Sequence, residues 1–189
     1  PGTSVDKLVG GVLGGVLRGG TLEAGDELEI LPGYDVEEKN KKIWKPLKTT
    51  LVKIHAGKDE HDSIGPSGSL GLMTSLDPSI VSSDKLSGSL VGLPGKLPPM
   101  WEEFSLDMHL LDRVVGAKED LEVAQVTQGE ALMLSVNSAA TVGVVTSTKK
   151  KLVACRLKLP VCAAVGSRVA VSRMIGNRFR LIGYGIITE

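Results

Sequence analysis

Aromatic side chains are scarce in this chain of 189 residues, because Phe, Trp and Tyr together make up only 3% of it. The chain also has no excess of charge, since 22 Lys and Arg residues balance 22 Asp and Glu residues. A general binder of nucleic acids is usually basic overall. Any contact with RNA must therefore come from a local patch of cations.

Cysteine is rare, and no apolar run reaches the length that spans a membrane. The spacing of the two cysteines, Cys155 and Cys162, fits neither a zinc ribbon nor a redox motif. We expect both to be buried free thiols in a reducing cytosol. We find no signal peptide at the start of the sequence. These features predict a soluble, cytoplasmic protein that makes no contact with a membrane.

Motifs that hold nucleotides or metals are missing as well. Gly57-Lys58-Asp59 and Gly95-Lys96-Leu97 lack the Ser or Thr that follows the lysine of a phosphate-binding Walker loop. The histidines His55, His61 and His109 show no ligand spacing, and we interpret them as solvated loop residues. We expect no catalytic residue, no cofactor and no metal in this chain, and hence no enzyme activity of the chain by itself.

Glycine and proline, by contrast, are abundant and spread along the whole chain. The 23 Gly and 9 Pro separate short runs that are rich in Val, Leu and Ile. This pattern is typical of short strands joined by tight turns, as in barrels and sandwiches. The runs predicted to be strands are 27–31, 47–54, 69–74, 88–93, 104–110, 131–136, 141–147, 151–157, 168–172 and 179–187. We predict an all-β fold.

A domain boundary is indicated where the chain reads Leu-Pro-Gly-Lys-Leu-Pro-Pro, at residues 93–99. Three prolines and a glycine in seven residues break strand pairing and favour a semi-rigid connector. We predict two consecutive β-barrels, at 1–93 and 100–189, joined by a linker at 94–99. The polar segments predicted to form exposed tips are 35–42, 58–68 and 117–121.

The most concentrated chemical signal lies in the tail of the chain. Arg173, Arg178 and Arg180 surround a glycine turn and lead into a strand-like run that ends at Ile187. Guanidinium groups meet phosphates through two hydrogen bonds and keep their charge, so this corner suits a polyanion. The alternative is structural, with the arginines covering apolar surface or pairing with carboxylates. The residues alone leave both interpretations open.

A series of motifs in this chain resembles a known family. The matching segments are Pro1-Gly2-Thr3, the glycines at 10–15, Leu-Glu-Ala-Gly-Asp-Glu-Leu-Glu-Ile-Leu-Pro-Gly at 22–33, Lys-Pro-Leu at 45–47, Leu-Asp-Pro at 76–78, Gly-Ser-Leu-Val-Gly at 88–92, Leu-Leu-Asp-Arg-Val-Val-Gly at 110–116, Gly-Glu-Ala-Leu-Met-Leu at 129–134, Leu-Pro-Val-Cys at 159–162 and the tail 172–185. They resemble the second and third domains of translational GTPases. More narrowly, they are similar to the gamma subunit of archaeal and eukaryotic translation initiation factor 2, over nearly the whole chain.

This resemblance implies a core subunit of a heterotrimer that carries methionylated initiator tRNA to the small ribosomal subunit. It implies that the chain supplies only the second and third domains, and that a GTPase domain, which binds GTP and Mg²⁺, would precede Pro1. The second domain would dock the alpha subunit and help to form the pocket for the aminoacylated tRNA end. The beta subunit would chiefly contact the GTPase domain.

The resemblance also implies roles for particular residues. The three tail arginines match the family's basic tail motif and are candidates for contacts with the tRNA backbone or between domains. Arg18, beside Gly19-Gly20, is a further candidate for a contact with the aminoacylated end of the tRNA. The alternative is that Arg18 does not contact the tRNA. The segments 35–42 and 58–68 are candidate alpha-subunit surfaces or plain solvated hairpins. The alternative family is another translational GTPase, such as a specialised elongation factor, whose barrels share this architecture.

Overall fold

The computed structural model describes residues 10–38, 41–116 and 121–188, and these are almost entirely β-strand. The all-β prediction is confirmed. The chain divides into two compact units, Pro1–Leu97 and Pro98–Glu189, and this division falls inside the segment 94–99. Among the described residues, the helices are limited to α1 (Pro78–Val81) and a 3₁₀ turn at Ser82–Asp84. Neither is long or apolar enough to cross a membrane.

The first unit is built on a curled half-barrel sheet. Its strands are β1 (Val12–Val16), β2 (Leu22–Glu23), β3 (Glu27–Glu38), β4 (Lys41–Ala56), β5 (Asp59–His61), β6 (Ser63–Ile64), β7 (Ser69–Thr74) and β8 (Leu90–Gly92). The hydrogen-bonded order is β1-β7-β4-β3-β8, with β5 also paired to β4, while β2 and β6 form a separate pair. Leu28 of β3 and Leu51 and Ile54 of β4 are fully buried in one apolar cluster, and Ile30 of β3 is fully buried in a second cluster with Leu47 and Leu76. These two clusters form the core of the unit.

The hairpin formed by β3 and β4 is longer than the sequence predicts. Most of the segment 35–42, expected to be an exposed tip, belongs to the two strands, and residues 39 and 40 lie outside the described residues. We call the paired residues 34–38 and 41–45 the hairpin arm. Its described side chains are exposed or half-buried, so this part of the two strands has no buried face.

Gly33 sets the start of the hairpin arm. The register of β3 against β4 shifts between Ile30 and Tyr34, which marks a bulge. Gly33 lies within it at φ +86°, and a Cβ added there would be 2.0 Å from the carbonyl oxygen of Lys45. Only glycine combines this backbone conformation with so close an approach of the opposite strand.

The other two predicted tips have different outcomes. The segment 58–68 contains the short strands β5 and β6, so it is not a plain loop. Lys53 of β4 pairs with Glu60 of β5 at 2.8 Å. In the segment 117–121, residues 117–120 lie outside the described residues. The exposed tip there stays a prediction.

The second unit is a closed antiparallel barrel of six strands. Its strands are β9 (Met100–Leu110), β10 (Ala131–Val136), β11 (Ala139–Lys149), β12 (Leu152–Cys162), β13 (Arg168–Ile175) and β14 (Arg178–Ile187). They pair in the order β10-β11-β12-β9-β14-β13, and the sheet closes where β13 pairs with β10. A closed sheet has no free edge, which removes the unpaired backbone groups of an open one.

The core of this barrel is filled by apolar side chains at alternating positions. Leu132, Leu134 and Val136 of β10 are each no more than 1% exposed. Cys155 and Cys162 are buried and free, as the sequence predicts, and burial raises the pKa of each thiol to about 11. Both cysteines thus act as small apolar residues of the barrel.

The histidines correct one expectation. None of the three lies in a loop, because His55 belongs to β4, His61 to β5 and His109 to β9. All three are half-buried. His109 lies inside the run 104–110 that predicts a strand, whereas His55 lies just beyond the predicted run 47–54 and His61 lies in the segment predicted to be a loop.

Candidate functional site

The predicted arginine corner is a tight hairpin between β13 and β14. A two-residue turn, Gly176-Asn177, joins the strands, and Ile175 lies opposite Arg178. Gly176 has φ +61°, the left-handed conformation that suits glycine at the first central position of a type II′ turn. Two register positions further along, Arg173 lies directly opposite Arg180. Like charges placed opposite each other repel, so one of them requires a counter-charge.

Glu130 provides that counter-charge to Arg173. The Nε and Nη2 atoms of Arg173 both donate to the carboxylate of Glu130, with Nη2 at 3.1 Å from Oε2. The Nη1 and Nη2 atoms also donate to the carbonyl oxygens of Ala124 and Gln125, at 2.8 and 3.2 Å. The same carboxylate accepts from the backbone N–H of Thr127 at 3.1 Å. The side chains of Arg173 and Glu130 are each 17% exposed.

These contacts use the donors of Arg173 within the barrel. They link β13 to the segment that precedes β10, and the linked residues are more than 40 positions apart in the sequence. The geometry therefore favours the structural interpretation of Arg173, as a residue that pairs with a carboxylate at a barrel corner. The sequence alone does not identify Glu130 as the partner of Arg173. The two residues are 43 positions apart, and a sequence does not show which distant acidic side chain lies beside a given arginine.

Arg178 and Arg180 are placed differently. Arg178 is exposed and Arg180 is half-buried beside Gly116, where a Cβ on that glycine would lie 3.0 Å from Nη1 of Arg180. Within 10–38, 41–116 and 121–188, neither arginine has an ion pair with an acidic side chain. The neighbouring Met174 and Phe179 are 48% and 37% exposed. The corner thus combines two available cations with apolar side chains in solvent.

Arg18 belongs to the first unit, whereas the other three arginines belong to the second. It is exposed and lies in the loop that follows β1, next to Gly19 and Gly20. Three of the four candidate arginines thus lie on the hairpin of β13 and β14, and the fourth, Arg18, lies in a separate loop. No group of three or more His, Cys, Asp or Glu side chains that could hold a metal ion occurs in the described part of the chain.

The two β units, a curled half-barrel sheet and a closed six-stranded barrel, match the pair of barrel domains that the resemblance to translational GTPases implies. Comparison with known sequences narrows this class. Residues 102–187 match the family described as "Initiation factor eIF2 gamma, C terminal". This match lies entirely within the closed barrel unit, which carries the arginine corner.

Relatives extend the similarity over both units. The chain is 50% identical over 187 residues to the translation initiation factor 2 subunit gamma of Methanocaldococcus jannaschii, which covers 99% of this chain and 46% of that protein. It is 48% identical over 189 residues to the subunit from Halobacterium salinarum and 47% identical to that from Pyrococcus furiosus, each time covering 100% of this chain and 46% of the relative. The chain belongs to the family of translation initiation factor 2 gamma subunits. It spans about half the length of the relatives that it matches.

Proposed function

We propose that this chain forms the second and third domains of a translation initiation factor 2 gamma subunit that binds methionylated initiator tRNA and delivers it to the small ribosomal subunit. The observation that carries the proposal is the identity of 50% across 99% of the chain. The matched region includes both β units, so the similarity covers the pair of domains and is not limited to a single barrel that many proteins could share. The matches favour this family over the alternative of a specialised elongation factor.

The arginine corner supports a contact with tRNA. Arg178 and Arg180 present two permanent charges on one hairpin, with no acidic side chain of the described residues paired to them. Guanidinium groups suit phosphate oxygens in geometry and charge. Arg173 supports this contact indirectly, because its bonds to Glu130 hold the strand from which the hairpin projects. Arg18 is proposed as a separate contact near the tRNA end.

The hairpin arm supports docking of the alpha subunit. Tyr34 and Ile43 are 42% and 41% exposed, and the half-buried Val36 lies opposite Ile43. Apolar side chains grouped on a solvated element are typical of a protein contact surface. The segment 58–68, which contains β5 and β6, is the second candidate surface for the same subunit.

The complete protein is proposed to be a GTPase that binds GTP and Mg²⁺ through a domain outside this chain. The beta subunit is proposed to contact that domain, which gives a heterotrimer of alpha, beta and gamma subunits. We propose a cytoplasmic location, where initiator tRNA and small ribosomal subunits are found. The part described here is proposed to bind and not to catalyse.

Binding of the purified alpha subunit to the 189-residue chain tests this function. We expect a complex at micromolar concentration by calorimetry, weakened by Tyr34→Ser and Ile43→Ser. Val144→Ser is the matched control, because Val144 is 45% exposed but lies on the closed barrel. Absence of a complex with a folded chain, as judged by its circular dichroism spectrum, would count against the proposed function.

A further inference from the structure

A second basic site lies on the closed barrel, apart from the arginine corner. The hairpin between β11 and β12 has the sequence Lys149-Lys150-Lys151 at its tip, and all three lysines are exposed. Beside it is a cleft of about 290 Å³. The residues that line the cleft are Met108, His109, Leu110, Gln125, Val126, Thr148, Lys150, Lys151 and Val153.

The lining of this cleft suits an anion. Its polar residues are His109, Gln125, Thr148, Lys150 and Lys151, whose side chains can each donate a hydrogen bond, and none of the described residues that line it is acidic. Buried apolar residues such as Met108 and Val126 form its base. A phosphate oxygen placed in the cleft would be surrounded by residues that supply hydrogen-bond donors and two positive charges.

The backbone of Lys150 is an independent sign of function. Lys150 has φ +55° and begins a two-residue turn, because Lys149 pairs directly with Leu152. Gly or Asn adopts this left-handed conformation more readily than Lys does. A lysine therefore costs stability at this position without improving the turn. Strained residues of this kind concentrate where the side chain serves a site.

A line of rings and charges continues from the cleft across the outside of the barrel. The ring of His109 stacks on that of Tyr184 with centroids 4.8 Å apart and an angle of 11°. The guanidinium carbon of Arg168 lies 4.5 Å from the centroid of the Tyr184 ring. Nε2 of His109 is 3.2 Å from Oδ2 of Asp107, so one carboxylate lies beside this line. The cations thus extend beyond the cleft, from Lys150 to Arg168.

We propose that the lysine tip and this cleft bind the phosphate backbone of an RNA strand, with one phosphate in the cleft and the next ones along the His109–Tyr184–Arg168 line. Cations spaced along a track fit a chain of phosphates better than a single phosphate. Residues 98–189 also contain 11 Lys and Arg against 9 Asp and Glu, so the unit is slightly basic while the whole chain is neutral. The choice of RNA rests on the proposed function, whereas the choice of a polyanion rests on the cleft.

Titration of the 189-residue chain with a single-stranded oligouridylate, at several salt concentrations, tests the proposal. The variant Lys150→Asn with Lys151→Gln removes both cleft lysines and relieves the backbone at residue 150. We expect its melting temperature to equal or exceed that of the parent chain, and its affinity for the oligouridylate to fall. The slope of log affinity against log salt should shrink by about 1.4, from two phosphate contacts of about 0.7 each.

Lys158→Gln is the matched control, because Lys158 is an exposed lysine of β12 that does not line the cleft. It should leave the slope unchanged. Equal slopes for the double variant and the parent chain would overturn the proposal. Binding of inorganic polyphosphate without binding of the oligouridylate would overturn the assignment to RNA. Failure of the alpha subunit to bind would count against the proposed function but would not change the result of the oligouridylate titration. The failure of one proposal can therefore be distinguished from the failure of the other.

Discussion

Arg173 and Glu130 form a two-donor ion pair whose side chains are each 17% exposed. The pair connects β13 to the segment that precedes β10 and removes the charge of Arg173 from the hairpin corner. No acidic side chain among the described residues pairs with Arg178 or Arg180 on the same hairpin. Three arginines of one sequence motif therefore lie in two different electrostatic environments, and separate experiments can assign their roles.

Arg173→Ala is expected to destabilise the barrel by about 2–4 kcal/mol. The substitution leaves the carboxylate of Glu130 partly buried without its cation, and it releases two backbone carbonyls. Urea unfolding of the chain measures the change. Adding Glu130→Gln to Arg173→Ala should recover part of the loss, because the uncompensated charge is then gone. A destabilisation below about 0.5 kcal/mol, the usual range for surface sites, would show that the pair contributes nothing.

Arg178→Ala with Arg180→Ala is expected to weaken binding of initiator tRNA to the complete gamma subunit while leaving its melting temperature unchanged. Loss of two phosphate contacts should reduce the salt slope by about 0.7–0.9 for each contact. Filter binding across a salt series measures both affinity and slope. Arg156→Ala is the control, since Arg156 is an exposed arginine of β12. Unchanged affinity and slope would assign the hairpin arginines to barrel structure alone.

Gly33→Ala is expected to destabilise the first unit and to weaken alpha-subunit binding together. The new Cβ would clash with the backbone of Lys45 at 2.0 Å, which forces the two strands apart at the base of the hairpin arm. Gly57→Ala provides the control, because Gly57 has φ +65° but open space around its Cβ position. The control should cost about 1–3 kcal/mol for backbone strain alone, and Gly33→Ala should cost more by thermal unfolding.

The two cysteines predict a loss of stability at high pH. Burial raises the pKa of Cys155 and of Cys162 from 9.0 to about 11 in the folded chain. The unfolded chain therefore loses these protons first, so the free energy of unfolding falls as the pH rises from about 9 to about 11. Cys155→Ala with Cys162→Ala should flatten this part of the pH profile. The same slope of the pH profile in the double variant would show that groups other than the two cysteines cause the loss of stability.

Labelling of the same thiols checks their burial directly. Iodoacetamide at pH 8 should modify the native chain slowly, because thiolate is the reactive form and little of it is present. The chain in urea should react fast. Fast labelling of the native chain would contradict the burial of both cysteines.

The sequence predicts the strands where one face of each strand is buried. In β10 and in the first half of β13 every second residue is buried, and the runs 131–136 and 168–172 match or lie within the observed strands. The sequence does not predict the hairpin arm, where none of the described side chains is buried and where charged residues resemble those of a loop. It also does not predict β5 and β6, whose five residues include four polar or charged ones.

For the candidate site, the sequence predicts local features but not the contacts between distant residues. Composition and turn residues locate the arginine corner and its glycine, since both are local features. The partner of Arg173 is 43 residues away, and the stack of His109 on Tyr184 joins two strands that are distant in sequence. Such pairings depend on strand order and register, which a single sequence does not specify.

Closure of the second barrel has a consequence for its synthesis. The barrel is complete only when β14 pairs with β9, which brings Ile187 opposite Leu106, and with β13. Contacts between residues so distant in sequence form late and slowly. Protease protection of stalled nascent chains should therefore appear only after β14 has left the ribosome. For most of its own translation, this barrel is an unfinished sheet with two open sides, which neighbouring chains or chaperones can reach.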